Sequence, residues 1–198
     1  MFIIIHSISN TRIMYKSINK FDQVTIPKKS LVVLDIDETT LKYCDVAPGW
    51  WKETFHYYYE IHNCHDTAEE LCLDLWKEKI GSTLPTHTDE KGFFDLVRHC
   101  KDNECELIMV TARNDSLKGI THEHLNYLNI YDIEVYFASG GNKGHLIRDI
   151  IGHVNITHDI PIHKPYDQII FIDDLEQNLK DVKDTFGEGV DCYKFECD

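Results

Sequence analysis

The sequence from residue 31 to residue 41 reads LVVLDIDETTL, an apolar run that leads directly into acidic residues. Four apolar residues, 31–34, come directly before the acidic pair Asp35 and Asp37. A continuous branched apolar run is typical of a strand buried on both faces, as in a parallel sheet covered by helices. Residues two apart in an extended chain point to the same side. We therefore expect both carboxylates to face the crevice at the carboxyl end of the sheet.

Strands and helices alternate along most of the chain. Apolar strand patterns recur at 107–110, 133–137 and 169–172, and a late strand is expected at 191–195. Between them, apolar residues spaced three or four apart predict helices, as in residues 93–100. Alternating strands and helices predict an α/β fold with right-handed crossovers, namely a three-layer, Rossmann-like parallel sheet.

One segment, residues 42–85, interrupts this alternation. It holds two helical patterns, the first of which is rich in aromatic residues between Trp50 and His62. The pair Thr67 and Glu70 predicts a capping box at the start of the second helix. Two helices inserted directly after the first strand would lie over the end of the sheet where that strand finishes.

The chain therefore divides into three parts. Residues 1–29 are predicted to form an N-terminal segment that packs on the core. Residues 30–41 and 86–198 are predicted to form the α/β core domain, and residues 42–85 a small helical cap inserted into it. A length of 198 residues fits one domain with a modest insertion.

Composition and charge exclude several classes of protein. The chain is 42% hydrophobic and 27% charged, which is ordinary for a folded protein and too polar for a membrane-spanning or collagen-like one. The formal net charge of −14 repels phosphate backbones and anionic headgroups. We therefore expect no nucleic-acid and no membrane partner, whereas a small phosphorylated molecule remains compatible with a local cationic site.

The cysteines bear on the compartment. There are seven of them, widely spread and without a C-x-x-C pair, a pattern that fits reduced thiols in the cytosol better than a disulfide framework. The opening residues MFIII are apolar, but they have no basic leader and no small-residue cleavage site after them, so they make a poor signal peptide. These features predict a cytoplasmic protein.

A second acidic pair, Asp173 and Asp174, follows the strand pattern 169–172 as Asp35 and Asp37 follow theirs. If both strands are central in one sheet, four carboxylates converge at one edge. Like charges this close must be neutralised by a proton, a lysine or a metal cation. Carboxylate oxygens around a cavity that also takes a phosphate suit Mg²⁺, so the sequence predicts a magnesium site.

Two more polar residues follow the same pattern. Thr111 ends the strand pattern 107–110 and offers a hydroxyl at the same rim. Lys143 lies in GGNKG, ahead of a helix, where its ammonium can meet an anion. Lys164, just before the last acidic strand, is an alternative for this cationic role. Each signal is weak alone, and their order along the chain makes the pattern specific.

Taken in order, these motifs resemble those of the haloacid dehalogenase-like (HAD) superfamily of aspartate-nucleophile phosphatases. DIDETTL at 35–41 resembles the first motif, D-x-D-x-T, and Thr111 in MVTAR resembles the second. Lys143 resembles the third motif, and FIDD at 171–174 the acidic fourth. The resemblance spans roughly residues 30–197, and the inserted segment corresponds in position to that family's cap.

The resemblance implies a role for each motif residue. Asp35 would be the nucleophile that forms an aspartyl phosphate, and Asp37 the acid that protonates the leaving oxygen and then deprotonates water. Thr111, Ala112 and Lys143 would bind the phosphoryl group. The presence of Asp37 favours a phosphatase over the dehalogenase branch of the family, which lacks that aspartate.

The resemblance also implies the metal ligands. The Asp35 carboxylate, the backbone carbonyl of Asp37 and an acid of the fourth motif would hold Mg²⁺. Between Asp173 and Asp174, analogy with the G-D form of the motif favours Asp174 as the ligand. Asp173 would then orient Lys143 or a metal-bound water.

The sequence thus predicts a Mg²⁺-dependent phosphatase acting on a small-molecule phosphomonoester. One alternative is a phospho-acceptor domain of the receiver type, although receivers place the acidic pair first and not last, and have no place for the cap. A second alternative is a catalytically idle family member that acts as a binding module. Turnover of a generic aryl phosphate would separate these functions.

Overall fold

The structure is a computed structural model that describes residues 15–47, 49–157 and 166–197, without the side chains of 153–157. The strands are β1 (Lys16–Ile18), β2 (Ser30–Leu34), β3 (Leu41–Lys42), β4 (Thr86–His87), β5 (Glu106–Thr111), β6 (Glu134–Phe137), β7 (Gln168–Asp173) and β8 (Val190–Phe195). The helices are α1 (Trp50–His62), α2 (His65–Ser82), α3 (Glu90–Asp102), α4 (Lys118–Tyr127), α5 (Lys143–Thr157) and α6 (Glu176–Phe186).

Six strands form one parallel sheet in the order β1-β8-β7-β2-β5-β6. The strand β2 is central, with Val32 opposite Leu107 of β5 on one side and Ile170 of β7 on the other. All five residues of β2 are buried, as the apolar run predicts. The carboxyl ends of β5, β2 and β7 therefore lie side by side.

Helices cover both faces of this sheet. Val32 and Leu34 belong to a hydrophobic cluster that includes residues of α3 and α4. Leu31 and Val33 point the other way and pack with residues of α5 and α6 in a second cluster. The alternation of β2 between two apolar layers confirms the predicted fold class, a three-layer α/β arrangement around a parallel sheet.

The inserted segment holds α1 and α2, which pack on each other. It leaves and rejoins the core through the antiparallel pair β3 and β4, with Leu41 opposite His87. The helix α2 begins at His65, so Thr67 lies inside its first turn and the predicted capping box at Thr67 is wrong. No residue of α1 is buried, whereas α2 buries three side chains against its surroundings.

The described part of the N-terminal segment lies against the core. β1 pairs with β8 at the edge of the sheet, and Phe21 is buried between Phe93 and Phe195, at ring-centroid distances of 6.2 and 5.0 Å. The MFIII stretch lies outside the described residues.

All seven cysteines lie in described parts of the chain, and none of them forms a disulfide there. Across the described residues, none of the helices combines the length and the apolar character needed to cross a bilayer.

Replacing Phe21 with alanine should destabilise the fold by about 3–5 kcal/mol, because a buried aromatic side chain is lost and a cavity is left. Denaturant unfolding measures the change. Tyr57→Ala is the control, because Tyr57 is 59% exposed on α1 and its loss should cost less than about 0.5 kcal/mol. Equal stabilities for Phe21→Ala and the parent would show that the segment before β2 does not contribute to the core.

Candidate active site

The site begins where three neighbouring strands end. β2 ends one residue before Asp35, β5 ends at Thr111 and β7 ends at Asp173. The Asp35 amide continues the pairing of β2 with β7, since its N–H donates to the Ile172 carbonyl at 2.9 Å. The parallel sheet therefore brings residues far apart in sequence to one edge, as is typical of binding crevices in α/β folds.

A tight turn follows Asp35 and shapes the rim. The amides of Thr40 and Leu41 both donate to the Ile36 carbonyl at 2.9 Å, and the Thr40 hydroxyl donates to the Asp35 carbonyl at 2.6 Å. Glu38 takes a left-handed conformation with φ of 58°, which a residue other than glycine adopts only at a cost. The turn returns the chain to β3 and leaves Asp37 and Glu38 at the rim.

Lys143 lies at the centre of the site. Its Nζ donates to Asp35 Oδ1 at 2.6 Å and to Asp173 Oδ2 at 2.8 Å, and its side chain is 1% exposed. Burial alone would lower the pKa of Lys143, but the charges of Asp173 and Asp35 outweigh it and raise the pKa. The ammonium therefore stays charged between two carboxylates.

Local packing brings Lys143 to this position. The loop before α5 is fixed to the end of β5, with the Ala138 amide donating to the Thr111 carbonyl at 2.8 Å and the Gly140 amide to the Ala112 carbonyl at 2.9 Å. Gly144 allows α5 to approach α6 closely, since a Cβ there would lie 2.7 Å from the Asp181 carbonyl oxygen. A larger residue at 144 would push away the helix that carries Lys143.

Three carboxyl groups gather beside this lysine. Asp35, Asp173 and Asp174 each offer an oxygen, and these oxygens lie within 4.8 Å of one another. Asp173 is fully engaged, because it also accepts hydrogen bonds from the Leu175 amide at 2.9 Å and from Asn178 Nδ2 at 3.0 and 3.1 Å. Asp173 is thus fixed in place by donors on three sides.

The carboxyl groups of Asp35 and Asp174 respond to their burial. Burial raises the pKa of Asp35 to about 7, with Lys143 opposing the shift and Asp173 adding to it. Burial raises the pKa of Asp174 to about 9, and the charges of Asp35, Asp173 and Glu38 add to it. One lysine does not neutralise this group of acids.

The cluster fits a hard divalent cation. Its donors are carboxylate oxygens, and its three carboxyl groups outnumber the single ammonium of Lys143. The hydrogen bonds described for Lys143 go to Asp35 and Asp173, and not to Asp174. A bound cation would lower the pKa values that burial raises here. The residues present therefore fit Mg²⁺.

Asp37 has a different partner from Asp35. Its two carboxylate oxygens accept from Arg113, at 2.8 Å from Nε and 2.6 Å from Nη2. Arg113 follows Thr111 by two residues, and sequence reasoning did not single it out as a site residue. Its position in MVTAR, two residues after Thr111, places Arg113 near the site, but nothing in the sequence shows that it pairs with a residue 76 positions away.

Thr111 and Ala112 lie at the end of β5, directly before Arg113. The Thr111 hydroxyl is buried and accepts from the Arg113 amide at 3.2 Å, while Ala112 between them is exposed at the rim. Lys164 lies outside the described residues. The structure thus brings together Asp35, Lys143 and the Asp173–Asp174 pair, with Asp37 beside them on Arg113.

A cavity of about 460 Å³ adjoins the site on the side of the inserted segment. It is lined by residues 42–47 together with Glu38 and Cys197. Glu38 connects it to the acidic cluster, because Glu38 lies close enough to Asp174 for its charge to raise the pKa of that carboxyl. Asp35 and Lys143 do not line it, so it lies next to the acids and not over them.

Comparison with known proteins gives limited matches. A family described as "Protein of unknown function (DUF2608)" matches residues 130–196, which include Lys143 and the Asp173–Asp174 pair. No curated protein matches the chain.

Two solved structures are similar in fold. A HAD-superfamily hydrolase from Ehrlichia chaffeensis is 14% identical with a TM-score of 0.49, over 87% of this chain and 90% of that one. A chain in the Pnkp1/Rnl/Hen1 complex is 14% identical with a TM-score of 0.41, over 87% of this chain. The present chain spans about half of that second chain, 48% of its length. At this identity neither neighbour determines the activity.

The raised pKa values predict how stability depends on pH when metal is chelated. Because the folded pKa of Asp174 lies above the 3.8 of an unperturbed carboxyl, the folded protein holds protons that the unfolded chain releases. The free energy of unfolding should therefore fall as pH rises from about 4 to about 9, by at most about 1.4 kcal/mol per pH unit for each group.

Thermal melting in EDTA at several pH values measures this slope. Asp174→Asn should flatten it and should also remove the rise in Tm that we expect Mg²⁺ to give the parent. Asp66→Asn, at a fully exposed position of α2, is the control and should keep the parent's slope. Parallel curves for the parent and Asp174→Asn would contradict the prediction.

Proposed function

We propose that this protein is a Mg²⁺-dependent phosphatase of the HAD type, which hydrolyses a phosphomonoester through an aspartyl phosphate on Asp35. The observation that carries the proposal is the placement of the Asp35 carboxylate against Lys143 and the Asp173–Asp174 pair, at the common end of β2 and β7. The motif resemblance described above assigns the same residues.

In the first half of the reaction, a carboxylate oxygen of Asp35 attacks phosphorus and the bond from phosphorus to the leaving oxygen breaks. The electron pair of that bond stays on the leaving oxygen, which takes a proton from Asp37. The product is an alcohol, and the phosphoryl group is now bonded to Asp35.

In the second half, water attacks the phosphorus of the aspartyl phosphate and gives its proton to Asp37. The bond from phosphorus to Asp35 breaks, which restores the carboxylate and releases inorganic phosphate. Asp37 is protonated before the first attack and again after the second, and Asp35 is a carboxylate at both points, so the two steps together complete the cycle.

The other residues of the site position and neutralise charge. Lys143 offsets the negative charge of the transferring phosphoryl group, and the Thr111 hydroxyl and the Ala112 backbone bind its oxygens. Asp35, Asp174 and the Asp37 carbonyl would hold Mg²⁺, which supplies positive charge for a phosphate dianion among carboxylates. Asp173 keeps Lys143 in place through the bond at 2.8 Å.

A small-molecule substrate fits the surroundings of the site. The adjoining cavity of about 460 Å³ is in the range that holds a small organic ligand. The net charge of −14 disfavours nucleic acid and anionic membrane surfaces as partners. We therefore propose a small phosphorylated molecule as substrate, and a cytoplasmic protein in keeping with cysteines that form no disulfide in the described residues.

The proposal is tested by the turnover of p-nitrophenyl phosphate with Mg²⁺ and after EDTA treatment. We expect many turnovers with Mg²⁺ and loss of activity on chelation. A receiver-type domain would instead accept one phosphoryl group without further turnover. An idle binding module would show neither turnover nor phosphoryl transfer. Full activity after exhaustive chelation would refute the metal dependence.

Asp35→Asn should lower kcat by at least about 10³-fold, since an amide of nearly the same shape cannot serve as the nucleophile. Steady-state kinetics measure the loss, and circular dichroism checks that the fold is kept. Asp66→Asn serves again as the exposed control with parent activity. Activity of Asp35→Asn within threefold of the parent would exclude Asp35 as the nucleophile.

Replacing residues 49–82 with a short Gly/Ser linker should change which phosphomonoesters are hydrolysed while Mg²⁺ still raises the Tm. The ends can be joined because β3 and β4 are paired, so the chain leaves and returns at one place. A lid of this kind excludes water and selects among substrates. A folded deletion variant with the parent's ranking of substrates would show that the helices have no role in selection.

A further inference from the structure

A buried ion pair lies outside the acidic cluster and joins Arg113 to Asp37. The guanidinium is 2% exposed and grips both carboxylate oxygens, at 2.8 and 2.6 Å, whereas the Asp37 side chain is 25% exposed. A fork of two parallel hydrogen bonds fixes the orientation of a carboxylate as well as its position. The Asp37 side chain is therefore partly exposed at the opening of the site, while the buried Arg113 fixes its orientation.

The other donors of Arg113 are also engaged by the protein. Nη2 donates to the Tyr43 hydroxyl at 2.7 Å, and Nη1 donates to the Thr121 hydroxyl of α4 at 2.9 Å. Four of the five N–H groups of a guanidinium are therefore committed to protein acceptors. This arrangement suits a group that holds another side chain better than one that binds substrate directly.

Tyr43 links this pair to the inserted segment. Because arginine only donates, the Tyr43 oxygen accepts from Arg113, and the same hydroxyl is hydrogen-bonded with His124 Nδ1 at 2.9 Å. The Tyr43 ring meets Trp76 of α2 edge to face, with centroids 5.7 Å apart. A continuous chain of contacts therefore runs from α2 through Tyr43 and Arg113 to Asp37.

We propose that Arg113 is the positioning residue for Asp37 in proton transfer to the leaving group, and that Tyr43 holds Arg113 in place from the base of the cap. The proposal rests on the phosphatase function proposed above. It assigns roles to two side chains that the sequence motifs leave without one.

The chemistry of the leaving group supplies a specific readout. When phosphorus leaves its ester oxygen, that oxygen carries the electron pair and needs the Asp37 proton in proportion to its basicity. A p-nitrophenolate ion is stable without a proton, whereas the more basic phenolate ion is much less so. A misplaced Asp37 should therefore slow phenyl phosphate more than p-nitrophenyl phosphate, two esters of nearly equal size.

The test compares kcat and KM for both esters in the parent, Arg113→Met and Tyr43→Phe. We expect Arg113→Met to lower kcat for phenyl phosphate at least about tenfold more than for p-nitrophenyl phosphate, with KM values changed less than about threefold. Tyr43→Phe keeps the ring against Trp76 and removes only the hydroxyl, so it should shift the same ratio in the same direction but less.

Arg98→Met is the matched control. Arg98 is 67% exposed and pairs with Asp95 on the surface of α3, so its loss removes an arginine–aspartate pair away from the site and should leave the ratio unchanged.

The outcomes separate the two proposals. If the parent hydrolyses neither ester, the proposed phosphatase function is wrong, and so is the role of Arg113 that rests on it. If the parent hydrolyses both and Arg113→Met lowers both kcat values by the same factor, the phosphatase stands and the positioning role is wrong. If Arg113→Met does not melt cooperatively, the test of the positioning role rests on Tyr43→Phe. An unchanged ratio of the kcat values for the two esters in folded Tyr43→Phe then overturns the proposal.

Discussion

The structure of this site depends on how buried negative charge is neutralised. Asp35, Asp173 and Asp174 lie within 4.8 Å of one another at the ends of two adjacent strands, where water is largely excluded. Like charges in such a place must be neutralised by protons or by cations beside them. Lys143 supplies one, and its position at the first residue of α5 requires that α5 begin directly against α6. The absence of a side chain at Gly144 permits this close contact with α6 and so allows Lys143 to lie beside the acids.

The two aspartates of the first motif are separated by their cations. Asp35 faces Lys143 at 2.6 Å, and Asp37, only two residues later, is held by Arg113 at 2.6 and 2.8 Å. Two carboxyl groups only two residues apart in sequence therefore lie in different electrostatic surroundings, each beside its own cation. The left-handed turn at Glu38 makes this separation possible, since it reverses the chain directly after Asp37.

Much of the fold follows from the sequence because its signals are local. The apolar run at 31–34 and the later strand patterns are periodicities that short stretches of chain display by themselves, and they became β2, β5, β6, β7 and β8. The acidic pairs were found because each stands directly at the end of such a run. Parallel order then brings the strand ends together without further information.

The rest was not predictable because it depends on contacts between distant residues. Arg113 and Asp37 are 76 positions apart, and Tyr43 and His124 are 81 apart, so neither pair leaves a pattern in the sequence. The start of α2 was placed at the wrong residue for a different reason. Thr67 and Glu70 have the spacing of a capping box, but that spacing also occurs inside a helix, and the helix had already begun at His65.

The attachment of the inserted helices limits how they can move. The pair β3 and β4 and the buried ring of Tyr43 belong to the core, whereas α1 has no buried residue. A movement that displaced Tyr43 would break its bond with Arg113 and disturb Asp37. The inserted segment is therefore linked to Asp37 through Tyr43 and Arg113. Tyr43 thus contacts both α2 of the inserted segment and the arginine that orients Asp37.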